Sequence, residues 1–195
     1  MIPAFETGTP STGPELSLAL GKLLAAGVTY LSTLPEEQFF APQGGAWSPA
    51  DQVRHLEVSS VPLALALKLP RWVLRLRFGR GTGRSRSFDE MRAAYQARLG
   101  EGGQAGRFAP QPGRSPANTR AGRLEVMNGW TRVTVELQNA LRRWPEPALD
   151  GQLLPHPLLG PLTVREMLAF TVYHTAHHLR RVAERAGSGP ALPRA

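Results

Sequence analysis

The sequence predicts an all-α protein built as a four-helix bundle, on the strength of three observations. Four long stretches place apolar residues three and four positions apart, the spacing that gives a helix one buried face. Helix-capping residues mark the starts of two of these stretches. Strand-like alternation of apolar and polar residues is nearly absent. The chain has 195 residues, of which 42% are hydrophobic, which is enough for one buried core.

The first two helices are predicted over 14–34 and from 49 to about 68. The second begins with Ser48 as the N-cap, a proline at the first helical position and Asp51 in the first turn. Pro62 predicts a kink or break in this helix, because proline removes one backbone hydrogen bond. The repeating apolar residues of the first helix are Leu16, Leu20, Leu23, Leu24, Val28 and Leu31.

The last two helices are predicted from 118 to 144 and from Thr163 to about Ala186. Pro145 ends the third helix. Thr163 and Glu166 form a capping box, in which each side chain accepts a hydrogen bond from the backbone N–H of the other residue. The apolar to neutral stripe of the third helix consists of Leu124, Met127, Thr131, Thr134, Leu137 and Leu141.

The segments between and around the helices are rich in glycine and proline, with 20 and 18 residues in the chain. We expect a disordered lead over 1–13, a bundle domain over 14–186 and a disordered tail over 187–195. A long insertion of about 74–115 separates the second and third helices. It contains a short helix over 88–99, and we expect it to be mobile.

Composition excludes several classes of site and location. The chain has no cysteine, so disulfides, zinc–thiolate sites and a cysteine nucleophile are excluded. The first residues lack the basic start and apolar run of a signal peptide. The most apolar stretch, 61–78, is interrupted by charged residues and proline and is too short for a membrane span. We therefore expect a cytoplasmic protein with no membrane partner.

The formal net charge of +8 comes almost wholly from arginine. One basic run has no acidic residue before Asp89, and such a run could bind nucleic acid phosphates or the carboxylates of an acidic thiol. Basic runs are usually solvated loops, and this one lacks interleaved aromatic residues and any helix-turn-helix or zinc-finger pattern. We expect no nucleic acid partner. The run consists of Arg71, Arg75, Arg77, Arg80, Arg84 and Arg86.

Two histidines in the fourth helix are spaced to bind one metal ion. His174 and His178 are four residues apart and share a helix face, whereas His177 lies beside the inward stripe. Two imidazoles are an incomplete site, because a catalytic zinc-type centre takes three protein ligands and leaves a position open. His55 in the second helix is the best third candidate. His156, in a loop between prolines, is interpreted as structural or merely exposed.

The spacing alone has a simpler explanation, since histidines four residues apart also occur as hydrogen-bonded core residues. Two segments favour the metal site because they resemble the DinB-like, YfiT-type family of four-helix bundles. They are WSPADQVRHL at 47–56 and HPLLGPLTVREMLAFTVYHTAHHLRR at 156–181. The second includes the HP..G.LT lead and the H-x-x-x-H pair, and the first supplies a lone histidine followed by leucine.

The resemblance implies an up-down-down-up bundle, frequent dimerisation, and a divalent ion such as zinc, nickel or iron bound by His55, His174 and His178. It does not cover the insertion. Some members of the family are thiol transferases that activate a low-molecular-weight thiol such as bacillithiol or mycothiol, and others are described as metal-dependent hydrolases. A metal ion held by three histidines, with a coordination position left free, suits both reactions, because it lowers the pKa of a bound thiol or water.

We favour thiol transfer to a small electrophilic substrate, because hydrolysis usually uses a carboxylate near the metal and no glutamate adjoins either histidine motif on the inward face. Asp51 could orient His55, and Glu125 or Glu136 could reach the cavity from the third helix. Their simpler roles are a helix cap for Asp51 and solvated surface for the other two. A non-catalytic metal-binding stress protein is the third class that the sequence leaves open.

Overall fold

The computed structural model describes residues 4–42, 46–110 and 117–187. Four long helices, α1, α3, α6 and α8, form the bundle and correspond to the four predicted helices, so the predicted fold class is confirmed. In chain order the elements are α1 (Gly13–Thr33), α2 (Glu36–Phe40), α3 (Pro49–Lys68), α4 (Arg71–Phe78), α5 (Phe88–Gly100), a 3-10 turn (Gly106–Phe108), α6 (Arg120–Leu141), α7 (Glu146–Gly151), β1 (Leu153–His156), β2 (Gly160–Thr163) and α8 (Val164–Gly187).

The helices are connected up-down-down-up. Residues near the starts of α3 and α6 meet, and so do residues near their ends, so these two helices are parallel. By the same reasoning α1 and α8 are parallel, whereas α6 begins beside the end of α1. The contacts are Arg54–Glu125 and Lys68–Glu136 between α3 and α6, Arg165–Ser11 and Leu179–Gly27 between α8 and α1, and Arg123–Leu34 between α6 and the end of α1.

The capping signals read from the sequence are present as side-chain hydrogen bonds. The Ser48 hydroxyl accepts from the backbone N–H of Asp51 at 3.1 Å, which starts α3. The Thr163 backbone N–H donates to Glu166 at 2.9 Å, and the Glu166 N–H donates to the Thr163 hydroxyl at 3.1 Å. These caps fix the starting points of the two helices that carry the histidines.

The break expected at Pro62 is absent, and α3 is continuous from Pro49 to Lys68. Proline cannot donate to the carbonyl of Val58, one turn before it. Both residues are exposed, so water can hydrate this carbonyl and the helix can continue.

Two segments expected to be irregular are packed against the bundle. Phe5 in the N-terminal lead is 1% exposed and its ring meets Tyr30 edge-on, while its carbonyl accepts a hydrogen bond from Arg180. In the insertion, the short helix predicted over 88–99 is present as α5, and it packs against α8 through its buried residues. These are Phe88, Met91 and Tyr95. The predicted tail lies, apart from Gly187, outside the described residues.

The segment between Pro145 and Thr163, expected to be a loop, contains α7 and a β-hairpin. The strands are antiparallel, with Leu153 opposite Thr163 and His156 opposite Gly160. Gly160 has a φ of +72°, a left-handed conformation that glycine adopts without steric cost. The strands have four residues each, so any alternation is too short to recognise. The hairpin brings His156 to the bundle interior.

One helix of the described part of the chain, α1, is long and apolar enough to cross a membrane by length and composition alone. Its inner face packs against α6 and α8, while 28% of its apolar stretch as a whole is buried. The leucines of this face are Leu16, Leu20, Leu23 and Leu31.

Candidate metal centre

His55, His174 and His178 meet in the bundle interior, as the sequence predicted. The Nε2 atom of His174 lies 3.0 Å from the Nε2 atom of His55 and 3.0 Å from that of His178. All three side chains are buried. Since imidazole nitrogens bind zinc at about 2.0–2.1 Å, atoms at these separations can all reach one ion.

The helices explain why these three residues converge. His174 and His178 are one turn apart on α8, so they share its inward face. Helix α3 runs antiparallel to α8 and presents His55 at the same level. His177 is half-buried at the side of this face and does not join the group of three. His178, and not His177, therefore faces His55 and His174.

Two oxygen acceptors fix the orientation of the outer imidazoles. The His55 Nδ1–H donates to the backbone carbonyl of Phe108 at 2.8 Å, and the His178 Nδ1–H donates to the side-chain oxygen of Gln52. Because both partners are acceptors, each ring carries its proton on Nδ1. The lone pairs of both Nε2 atoms are then directed at His174.

This arrangement fits a metal ion better than a set of hydrogen-bonded core histidines. With the protons of His55 and His178 on Nδ1, only His174 can place an N–H inside the cluster, and that single donor can serve one neighbour. A divalent cation would satisfy three lone pairs at once. Imidazole donors suit zinc, nickel and iron.

Burial keeps the imidazoles in the neutral form that binds metals. It lowers the pKa of His55, against a smaller opposing effect of the Phe108 carbonyl. Burial and the neighbouring imidazoles lower the pKa values of His174 and His178 well below that of an exposed histidine. All three rings are therefore neutral at pH 7.

The cluster lies at the wall of a cavity of about 610 Å³, a size typical of small-ligand sites. Both the bundle and the insertion enclose it. Its apolar wall includes Leu63, Leu99, Leu158, Met167 and Phe170.

None of the acidic residues considered from the sequence lines this cavity. Asp51 accepts hydrogen bonds from Ser48 at the start of α3, as its simpler role predicted. The Oε1 atom of Glu125 lies 3.7 Å from Nη1 of Arg54. The Oε2 atom of Glu136 lies 2.5 Å from Nζ of Lys68 on the bundle surface. In the described part of the chain the cavity has no carboxylate.

His156 is not exposed, which corrects one of its two interpretations. Its side chain is 8% exposed and lines the cavity. Its Nδ1 accepts hydrogen bonds from the backbone N–H groups of Leu158 and Leu159, at 3.2 and 3.1 Å. Burial lowers its pKa to about 4. His156 therefore holds the hairpin turn in its neutral form, which agrees with the structural interpretation.

Sequence reasoning missed four other groups at the site. Gln52 precedes His55 by three residues, and this spacing on one helix face was a usable signal. The Phe108 carbonyl had no signal, because every residue has a backbone carbonyl. The Trp47 ring lies 5.1 Å from the His55 ring, and the Tyr95 ring lies 6.0 Å from the His174 ring. Burial raises the pKa of Tyr95 to about 12, so its hydroxyl stays protonated at neutral pH.

Fold and site together define a helical bundle with a buried three-histidine cluster beside a ligand-sized cavity. The chain belongs to the DinB superfamily, whose family model matches residues 20–182. The family predicted from two sequence segments is therefore confirmed.

A solved structure, that of YfiT from Bacillus subtilis, is similar over 90% of this chain and 86% of its own, with a TM-score of 0.58 and 14% sequence identity. That protein is described as a probable metal-dependent hydrolase with an unusual four-helix bundle topology. At this identity the similarity establishes the fold alone. A comparison with curated proteins gave no match.

Proposed function

We propose that this protein is a cytoplasmic, metal-dependent enzyme that transfers a low-molecular-weight thiol to a small electrophilic substrate. The observation that supports this most is the convergence of three Nε2 lone pairs at the wall of the 610 Å³ cavity. His55, His174 and His178 would hold a divalent ion. Such an ion, when bound, lowers the pKa of a thiol or water molecule beside it.

The protein's own residues would orient and shield the reacting groups. Gln52 and the Phe108 carbonyl hold two imidazoles in their metal-binding tautomer. A substrate that fills the cavity against its apolar wall would displace water, which would strengthen electrostatic interactions beside the cluster. Tyr95 is a neutral hydroxyl donor at the same cavity.

A metal-dependent hydrolase is the second candidate, favoured by the description of the similar Bacillus subtilis protein. A carboxylate general base is common in such enzymes. The described residues place none at this cavity. This difference makes thiol transfer the better-supported reaction.

Metal content and turnover test this proposal separately. We expect the purified protein to hold one divalent ion per chain and His174→Ala to lose it. His177→Ala, which removes the neighbouring histidine outside the cluster, should retain the ion. Elemental analysis of the three proteins measures this without any assay of activity. Full metal content in His174→Ala, or equal loss in both variants, would show that the cluster is not the metal site.

Turnover is measured as conjugation of a chlorinated or epoxide electrophile with bacillithiol, mycothiol, glutathione or coenzyme A. We expect product only when both metal and thiol are present, and none with His174→Ala. Thiol-independent hydrolysis by the metal-loaded protein would replace the transferase proposal with the hydrolase. A metal-loaded protein that turns over no substrate in either assay would instead support the non-catalytic class.

A further inference from the structure

The cavity beside the cluster is lined by positive and neutral groups, with no negative one among the described residues. Arg107, Arg181 and Arg185 line it, together with all five histidines of the chain. The segments outside the described residues contain no Asp or Glu in their sequence. Guanidinium groups concentrated in a concave site without carboxylates attract anions.

Two of these arginines continue the row of histidines along α8. Arg181 follows His178 by three residues, and Arg185 follows Arg181 by four. At a rise of 1.5 Å per residue, their Cα atoms lie about 4.5 and 10.5 Å beyond that of His178 along the helix axis. A linear ligand that extends from the cluster along α8 therefore passes both guanidinium groups.

The third arginine belongs to the insertion and is linked to the cluster. Arg107 precedes Phe108, whose carbonyl accepts the hydrogen bond from His55. Its guanidinium carbon lies 5.0 Å from the centre of the Phe108 ring. In the part of the chain that the structure describes, none of the three cavity arginines forms an ion pair with a carboxylate. Their charges are thus available to a ligand.

The basic run of 71–86, which the sequence offered for binding an acidic thiol, is not part of this site. Its arginines do not line the cavity. Arg86 instead donates to Glu166 at 2.8 Å and fastens the insertion to α8. The charge suited to an anionic ligand comes from a different set of residues.

We propose that this cavity selects a linear, partly apolar substrate or thiol with an anionic end. The carboxylate, phosphate or sulfonate of this ligand pairs with Arg181 and Arg185, assisted by Arg107. Its methylene groups lie against the apolar wall, and its other end reaches the histidine cluster. This inference rests on the proposed function, because it takes the cluster as the reacting centre.

A matched pair of probes isolates the charge. 6-Mercaptohexanoate and 6-mercaptohexanamide have the same thiol and the same length but differ in charge, and calorimetry can measure their binding to the metal-loaded and the metal-free protein. We expect the carboxylate to bind about tenfold more tightly than the amide in both forms, since charge-assisted hydrogen bonds exceed neutral ones by about this factor. Raising the salt concentration should reduce the difference.

Substitutions locate the preference within the cavity. Arg181→Gln and Arg185→Gln should each reduce the preference for the carboxylate, and the double substitution should abolish it. Arg181→Lys should retain part of it. Arg132→Gln removes the same charge from an exposed position on α6, outside the cavity, and should leave the preference unchanged.

The outcomes separate this proposal from the proposed function. A charge preference that depends on Arg181 and Arg185 sustains the anion site even if the protein binds no metal or has no turnover. Equal binding of the two probes overturns it, even if metal-dependent thiol transfer is observed. A loss with Arg132→Gln as large as that with Arg181→Gln also overturns it, since the effect would then come from overall charge.

Discussion

Two groups that are not themselves candidate ligands decide what the histidines present to an ion. Each imidazole has two nitrogens, and the hydrogen bond at Nδ1 determines whether Nε2 carries a lone pair or a proton. Gln52 and the Phe108 carbonyl make this choice for His178 and His55. The cluster therefore depends on residues from α3 and the insertion as well as on α8.

Gln52→Leu tests this dependence at a single residue. Leucine has a side chain of similar size but cannot accept the Nδ1–H of His178, so the ring is free to place its proton on Nε2. We expect about 10- to 100-fold weaker metal binding, the usual effect of losing such a partner. Gln52→Glu should restore binding, because a carboxylate accepts the same hydrogen bond.

Competition with a chelator of known affinity measures the change. Ser59→Ala is the control, since Ser59 lines the same cavity but donates only to the carbonyl of Leu56. Equal affinity of Gln52→Leu and Ser59→Ala would show that the Gln52 hydrogen bond does not support metal binding.

Among individual residues, the sequence predicted the candidate ligands but not the groups that orient them. His174 and His178 were visible because helical spacing alone places them on one face. His55 is the third candidate because it lies on the second helix, whereas His156 lies between prolines, and the family resemblance supports that choice. The Phe108 carbonyl comes from a turn in the insertion, 53 residues from His55, and no local pattern predicts a contact of that kind.

Among the three glycines within α1, Gly27 has the least room for a side chain. A Cβ atom built there would lie 2.7 Å from the Cη2 atom of Trp130 on α6 and 3.1 Å from both terminal methyl carbons of Leu179 on α8. Trp130 is 1% exposed and has little room to move. Glycine at this position therefore lets α1 approach two other bundle helices.

Gly27→Ala should destabilise the protein through overpacking, which costs about 1–3 kcal/mol. Alanine also favours a helix over glycine by about 1 kcal/mol, which opposes the loss. Gly21→Ala has the same helix benefit in α1, but its Cβ would meet only the end of the Gln138 side chain, at 3.1 Å. The difference between the two free energies of unfolding in urea isolates the packing cost. If Gly27→Ala is as stable as Gly21→Ala, the close approach of α6 and α8 leaves room for a methyl group at position 27, and the packing argument is wrong.

Element boundaries were predictable where local chemistry sets them. Ser48 with Asp51, and Thr163 with Glu166, are capping pairs whose hydrogen bonds form within one helical turn, so sequence suffices to find them. Two departures from the predictions have other causes. Water can hydrate the carbonyl that Pro62 leaves without a donor, so α3 continues without the expected break. The strands of the hairpin around His156 have four residues each, too few for their alternation to be recognised in the sequence.

In the molecule as a whole, the bundle does not enclose the site by itself. The insertion contributes Tyr95, Arg107 and Phe108 to the cavity wall. It also supplies the acceptor for His55, so the orientation of that imidazole depends on how the insertion packs. This connection was not predictable, because the family resemblance covers the helices and not the insertion.

All five histidines of the chain line this one cavity, and each has a pKa below that of an exposed histidine, with burial as the leading cause. The pKa is about 4 for both His156 and His177. In the unfolded chain these groups titrate near pH 6.5. The unfolded state therefore binds more protons than the folded state between about pH 6.5 and pH 4, and stability falls as the pH falls through this range.

We expect the metal-free protein to lose stability steeply between pH 7 and pH 5, with each histidine contributing up to about 1.4 kcal/mol per pH unit. Urea unfolding with a chelator present measures this at pH 7, 6 and 5. Carboxylates such as Glu15, with a pKa of about 2, act in the same direction but at lower pH, because unfolded carboxyl groups titrate near pH 4. His177→Gln should make the pH dependence shallower by up to one histidine's share. A free energy of unfolding that stays constant from pH 7 to pH 5 would mean that the buried histidines accept protons without unfolding, and the imidazoles of the cluster would then not be held in the neutral form by burial.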